Sequence, residues 1–147
     1  MNVASLELSK ELYELSGWKS DFLMYIKSAS GWVVMNQHQY HNYRAASGKP
    51  GHFVSVDAYD LGYLLRKLPR WYDKDRVKGP MHAFLLQLQP SPVSTNWQAF
   101  YRYENKNPNG YESEVTLKVE AGTPEDAAAK LAIELFKQGV LTRDGDD

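Results

Sequence analysis

Residues 112–139, ESEVTLKVEAGTPEDAAAKLAIELFKQG, read as an alternating strand that turns through a capped start into an amphipathic helix. Val115, Leu117 and Val119 alternate with Glu114, Thr116, Lys118 and Glu120, which assigns one strand face to a core and the other to water. Thr123 is the expected N-cap: its hydroxyl can accept from a first-turn amide, Pro124 lacks the donor that would go unpaired, and Glu125 and Asp126 suit the positive helix end. Ala127, Leu131, Ala132, Leu135 and Phe136 fall on one side of the helix, and Gly139 stands where a left-handed C-terminal cap belongs. A one-sided strand followed directly by a one-sided helix buries both apolar faces in a shared core, which makes the fold class α+β.

Working outward, a helix is expected from Ser5 to Ser16, with Leu8, Leu12 and Leu15 inward and Gly17 as its stop. Trp18 then packs back on the core. Asp21 to Lys27 and Trp32 to Gln37 flank Ser28, Ala29, Ser30 and Gly31, a hairpin pattern. From His38 to Gly51 no clean period appears and Gly48, Pro50 and Gly51 cluster, so this stretch reads as a long loop. After a short strand, His52 to Val56, Asp57 is read as the cap of a helix with Leu61, Leu64, Leu65 and Leu68 as its stripe and Pro69 as its end. Arg70 to Pro80 reads as an irregular polar connection. Strands follow near His82 to Gln89 and Asn96 to Glu104, and Asn105 to Gly110 turns into the closing strand. The expectation is an antiparallel sheet of about five to six strands with three helices packed mainly on one face. It forms a single domain over 1–142, with a frayed acidic tail over 143–147.

Composition is that of an ordinary folded chain. Of 147 residues, 43% are hydrophobic and 24% charged, and a net charge of -1 argues against bulk attraction to nucleic acid or anionic membranes. A chain of this length buries roughly 68% of its unfolded surface. The absence of cysteine excludes disulfides and thiolate metal sites. No leader pattern and no long apolar run is present, so the reading is no membrane span and a cytoplasmic location.

Three segments, ELYELSGW at 11–18, AYDLGYLLRKLP at 58–69 and TPEDAAAKLAIELFKQGVL at 123–141, resemble small phage and prophage proteins. The resemblance implies an accessory product of a mobile element, small and cytoplasmic, and carries over no catalytic residue. The closing segment is also similar to the final helix of double-stranded RNA-binding domains, through AAAKLA at 127–132. That family implies lysines at the helix start, where this chain has Pro124, Glu125 and Asp126. Across 104–126 six acidic residues face two lysines, for a net of -4, which would repel RNA. The strand and Thr-Pro-Glu-Asp start are similar as well to the HicB class of antitoxin, which usually continues into a DNA-binding segment.

Chemical motifs are sparse. His38 and His41 form an H-x-x-H pair without the H-E-x-x-H pattern of helical zinc proteases, and there is no G-x-S-x-G elbow or phosphate-binding glycine loop. The basic stretch Arg66, Lys67, Arg70, Lys74, Arg76 and Lys78 is opposed by Asp73 and Asp75, for a net of +4, and contains Trp71 and Tyr72. Such a segment can hold phosphates while its aromatics stack on bases, or anchor a protein partner; a solvated helix end and loop, with cations near the helix C-terminus, is the simpler explanation. Among four Trp, ten Tyr and five Phe, Trp97, Tyr101 and Tyr103 share one strand face and Phe100 takes the other. The leading expectation is a non-enzymatic protein without cofactor that acts by protein-protein interaction. The alternative is nucleic-acid binding through 66–78. A second alternative is a metal-dependent hydrolase using His38 and His41.

Overall fold

The computed structural model describes residues 2–20, 22–47, 54–72 and 84–143. The described elements are, in order, α1 (Leu6–Ser16), β1 (Leu23–Ser28), β2 (Gly31–Asn36), α2 (Gln37–Ser47), β3 (Ser55–Asp57), α3 (Leu61–Lys67), β4 (Trp71–Tyr72), β5 (Phe84–Pro90), β6 (Trp97–Asn107), β7 (Gly110–Ala121) and α4 (Pro124–Lys137). The α+β class holds. The expected single sheet with three helices does not: among the described residues there are four helices, and the strands divide into two antiparallel sheets ordered β2-β1-β3 and β4-β5-β6-β7. The division arises because β3 pairs with the free side of β1, leaving the hairpin and the later meander as separate ladders.

Helix α4 lies between layers. Its Ala127, Ala128, Ala129, Leu131, Ala132, Ile133 and Leu135 are all buried, so more than one side of the helix is covered. It packs on β5, β6 and β7 on one side and against α1 and α3 on the other. The run of three alanines fits this position because small side chains let two layers approach the same helix closely. The expectation of helices packed mainly on one sheet face is corrected here: α4 packs on the second sheet, and α1 and α3 pack against α4. Leu12, Trp18, Tyr59, Tyr63, Leu64, Leu131, Leu135, Ala99 and Tyr101 belong to one apolar cluster.

The caps follow the local chemistry. Thr123 Oγ accepts from the Asp126 N–H at 3.1 Å, and Gly139, at φ 76°, closes the other end with its N–H donating to the Phe136 carbonyl. The Asp126 side chain reaches further still, its Oδ1 accepting the Ser5 N–H at 2.6 Å, and Ser5 is itself the N-cap of α1. One carboxylate thus joins the starts of two helices. Beside it the Ala4 carbonyl accepts from the Tyr25 hydroxyl at 2.6 Å, fastening β1 to the same corner. Burial, with the Asp126 charge second, raises the Tyr25 phenol above its ordinary value, so it stays a donor.

Two expected features are displaced. Helix α3 is capped by Asp60, whose Oδ1 accepts from Tyr63 N–H at 2.8 Å; Asp57 ends β3 instead, because Ala58 and Tyr59 between them are committed to the core. Of the stretch read as a loop from His38 to Gly51, the part up to Ser47 lies in α2, and residues 48–51 lie outside the described residues. Asn36 Oδ1 accepts from Gln39 N–H at 2.8 Å and Gln39 Oε1 accepts from Asn36 N–H at 3.0 Å, a reciprocal capping box that starts the helix without any apolar period. Of the tail expected to fray over 143–147, Arg143 is held, its Nη1 donating to the Glu14 carbonyl at 3.1 Å, and residues 144–147 lie outside the described residues.

Thr123→Ala should cost about 1 kcal/mol in urea unfolding, the usual loss of a cap. Asp126→Ala should cost more, about 2 kcal/mol, because it strips a charged acceptor from the α1 start. Equal losses would show that the link between the two helices contributes nothing. At Asp57, burial raises the carboxyl above its ordinary value, partly opposed by the Ser20 backbone N–H and the Lys19 charge. The folded state therefore holds the proton more tightly than the unfolded chain, and ionisation costs stability. Asp57→Asn should gain stability relative to wild type as pH rises through the unfolded and then the folded carboxyl value, and keep a constant advantage above it. A difference that does not change between pH 3 and 7 would exclude this.

Candidate functional site

The second sheet has two unlike faces. Toward α4 it presents Phe84, Ala99, Tyr101 and Ala121 in the core, with Tyr72, Leu86, Leu88, Trp97, Tyr103 and Val119 packed against them. Tyr72 pairs in register with Phe84 and its ring lies 5.8 Å from that of Tyr101. Burial raises the Tyr101 phenol far above its ordinary value, and its hydroxyl donates to the Pro69 carbonyl at 2.7 Å, tying β6 to the end of α3.

The opposite face follows from the pairing register. Trp71 stands across from Leu85, Leu85 across from Arg102, and Arg102 across from Val115, so one row crosses all four strands. Paired residues in a ladder point to the same face. Trp71 and Leu85 are each 55% exposed and Val115 39%. The Arg102 side chain is 37% exposed, and its guanidinium carbon lies 5.7 Å from the centre of the Phe100 ring, which is itself only 2% exposed. Arg102 Nη1 is 3.6 Å from Glu104 Oε1, beyond a good hydrogen bond, and its buried Nε finds no acceptor among the described residues. Glu104 Oε1 also accepts from the exposed Tyr111 hydroxyl at 2.9 Å.

Val115 reaches this face through a bulge. Val119 opposes Ala99 but Thr116 opposes Tyr101, so β7 carries an extra residue there, with Leu117 at φ 57°. The shift corrects the plain alternation of Val115 with Leu117 and Val119: beyond the bulge, Thr116 faces Tyr101 and Val115 turns outward. Nothing in the period-two pattern marks the irregularity.

The basic segment is divided by the fold. Arg66 and Arg70 are exposed at and beyond the end of α3, whereas the Lys67 ammonium sits 5.5 Å from the Trp18 ring centre and 5.7 Å from that of Tyr63. The polar connection expected from Arg70 contains β4, and its alternation sends Trp71 outward and Tyr72 into the core, so the two rings do not form one stacking platform. Lys74, Arg76 and Lys78 lie outside the described residues.

His38 and His41, one turn apart on α2, line a cleft of about 700 Å³ with Phe22, Leu23, Asn36 and Asp60. Asp60 is the carboxylate the sequence did not place beside them. Among the described residues no three His, Asp or Glu side chains are arranged to hold a metal ion, and no helix is long and apolar enough to cross a membrane. Compared with known proteins, the chain matches no family model, no curated protein and no solved structure.

The two neighbours on β4 should separate in a stability measurement. Trp71→Ser should shift urea unfolding by about 0.5 kcal/mol or less, as an exposed side chain does, while Tyr72→Ser should cost more than about 2 kcal/mol by opening a gap against Phe84 and Tyr101. Comparable losses at both positions would mean that β4 does not divide them between faces.

Proposed function

We propose that this chain is a small accessory protein of a phage or prophage, without catalytic activity of its own, that acts by binding another protein through the outer face of its second sheet. The observation that carries the reading is the row Trp71, Leu85, Arg102 and Val115, three partly exposed apolar side chains around an arginine on a face opposite the helix layer. Trp and Arg set among apolar neighbours are the side chains that most often anchor protein contacts.

The same face is poorly suited to a phosphate backbone. A phosphate backbone calls for several cations in line, and the row Trp71, Leu85, Arg102 and Val115 offers Arg102 alone. Nucleic-acid binding through 66–78 is the second reading; it is supported by the exposed Arg66 and Arg70 beside Trp71, and weakened by the inward Tyr72 and the engaged Lys67.

Pull-down from nuclease-treated lysate of the source cells, with wild type and a Trp71→Ser/Leu85→Ser double variant of equal stability, tests the proposal. A protein retained by wild type and lost from the variant is the expected result. Recovery of nucleic acid alone without nuclease treatment, or identical protein recovery by both, would overturn it.

A further inference from the structure

Resting on the protein-binding reading above, we infer that the partner presents an amphipathic helix that lies across the four strands and sets a carboxylate from its apolar stripe against Arg102.

The direction of the row selects a helix. Along β6 the residues of this face are Gln98, Phe100, Arg102 and Glu104, of which Gln98 and Phe100 are buried and the other two charged, so an added strand running with the sheet would meet little apolar surface. Across the strands, Trp71, Leu85 and Val115 form an apolar line broken once, by Arg102. Four strands span three gaps, roughly 14 Å at the usual spacing, and a helix covers that distance in about nine or ten residues. A helix carrying apolar residues at i, i+3 or i+4 and i+7 places one stripe over such a line.

Charge complementarity selects the carboxylate. Arg102 is the cation at the middle of the row, with Nε lacking an acceptor among the described residues and Nη1 at 3.6 Å from a Glu104 oxygen that already accepts from Tyr111. A helix covering the row would remove water from this guanidinium, and the strongest replacement acceptor is a carboxylate, which meets it in a two-pronged geometry. A second copy does not supply one in register: placed on the same row by a twofold axis, it brings Trp71, Leu85, Val115 or another Arg102 to the guanidinium.

The test is panning of the immobilised full chain against a displayed library of random 18-residue peptides. Enriched peptides should carry apolar residues at helical spacing with Asp or Glu within the stripe. For a fluorescein-labelled consensus peptide, Arg102→Glu should weaken binding about tenfold or more. Replacing the peptide's acidic residue by Arg should weaken binding to wild type and restore it to the Arg102→Glu variant. Arg102→Gln, which keeps cover over Phe100, should also weaken binding, and Arg66→Glu should leave it unchanged. Binding lost with Trp71→Ser/Leu85→Ser but unaffected at Arg102, or enriched peptides lacking an acidic residue, would overturn the inference while leaving the protein-binding reading intact. Peptide binding that survives the Trp71→Ser/Leu85→Ser change would overturn both. Three further results would also sink the inference: no enrichment, a wild-type dimer dissolved by the double variant in sedimentation, or single-stranded oligonucleotide binding lost in that variant.

Discussion

The burial of α4 on two sides is the constraint from which the rest of the architecture follows. A helix covered by a sheet on one flank and by α1 and α3 on the other must be small where the layers close in and must start at a defined point. The three consecutive alanines meet the first demand, and Thr123 with Asp126 meets the second. Because the Asp126 carboxylate also receives the Ser5 N–H, the angle and position of α1 are tied to the first turn of α4. Tyr25 joins at the adjacent Ala4 carbonyl, which brings in the first sheet. A corner of a few hydrogen bonds therefore sets the relation among parts far apart in the chain, while apolar burial supplies the bulk of the stabilisation.

Covering one face of the second sheet this way leaves the other face with a different composition. Alternation sends Tyr72, Phe84, Tyr101 and Tyr103 to the helix layer and Trp71, Leu85, Phe100 and Arg102 outward. The bulge at Leu117 adds Val115 to the outward set by changing the phase of β7 halfway along. Without that extra residue Val115 would point with Val119 and the row would stop at Arg102. The Arg102 guanidinium lies 5.7 Å from the centre of the Phe100 ring, a cation set among apolar neighbours. The first sheet plays a different part, placing α2 and its histidines around a cleft beside the α3 start.

Much of this was readable from local chemistry. The α4 start and stop, the Gly17 stop of α1, the hairpin through Ser28 to Gly31, and the strand face shared by Trp97, Tyr101 and Tyr103 depend on residues within a few positions of one another, and propensity or period expresses them directly. Helix α2 was legible in principle through Asn36 and Gln39, but its polar surface gives no period to prompt the search. Asp57 and Asp60 are chemically equal as caps, and what decides between them is the burial of Ala58 and Tyr59.

From the residues alone come the α+β class, the strand-to-helix unit that ends it, and the absence of thiol chemistry, since each depends on side-chain type and short-range spacing. The partition into two sheets, the double covering of α4, the phase change at Leu117 and the row from Trp71 to Val115 come from strand pairing between distant segments. Alternation says that a strand has two faces; which neighbour it takes, and which face another layer covers, is settled by packing among residues that no local pattern connects.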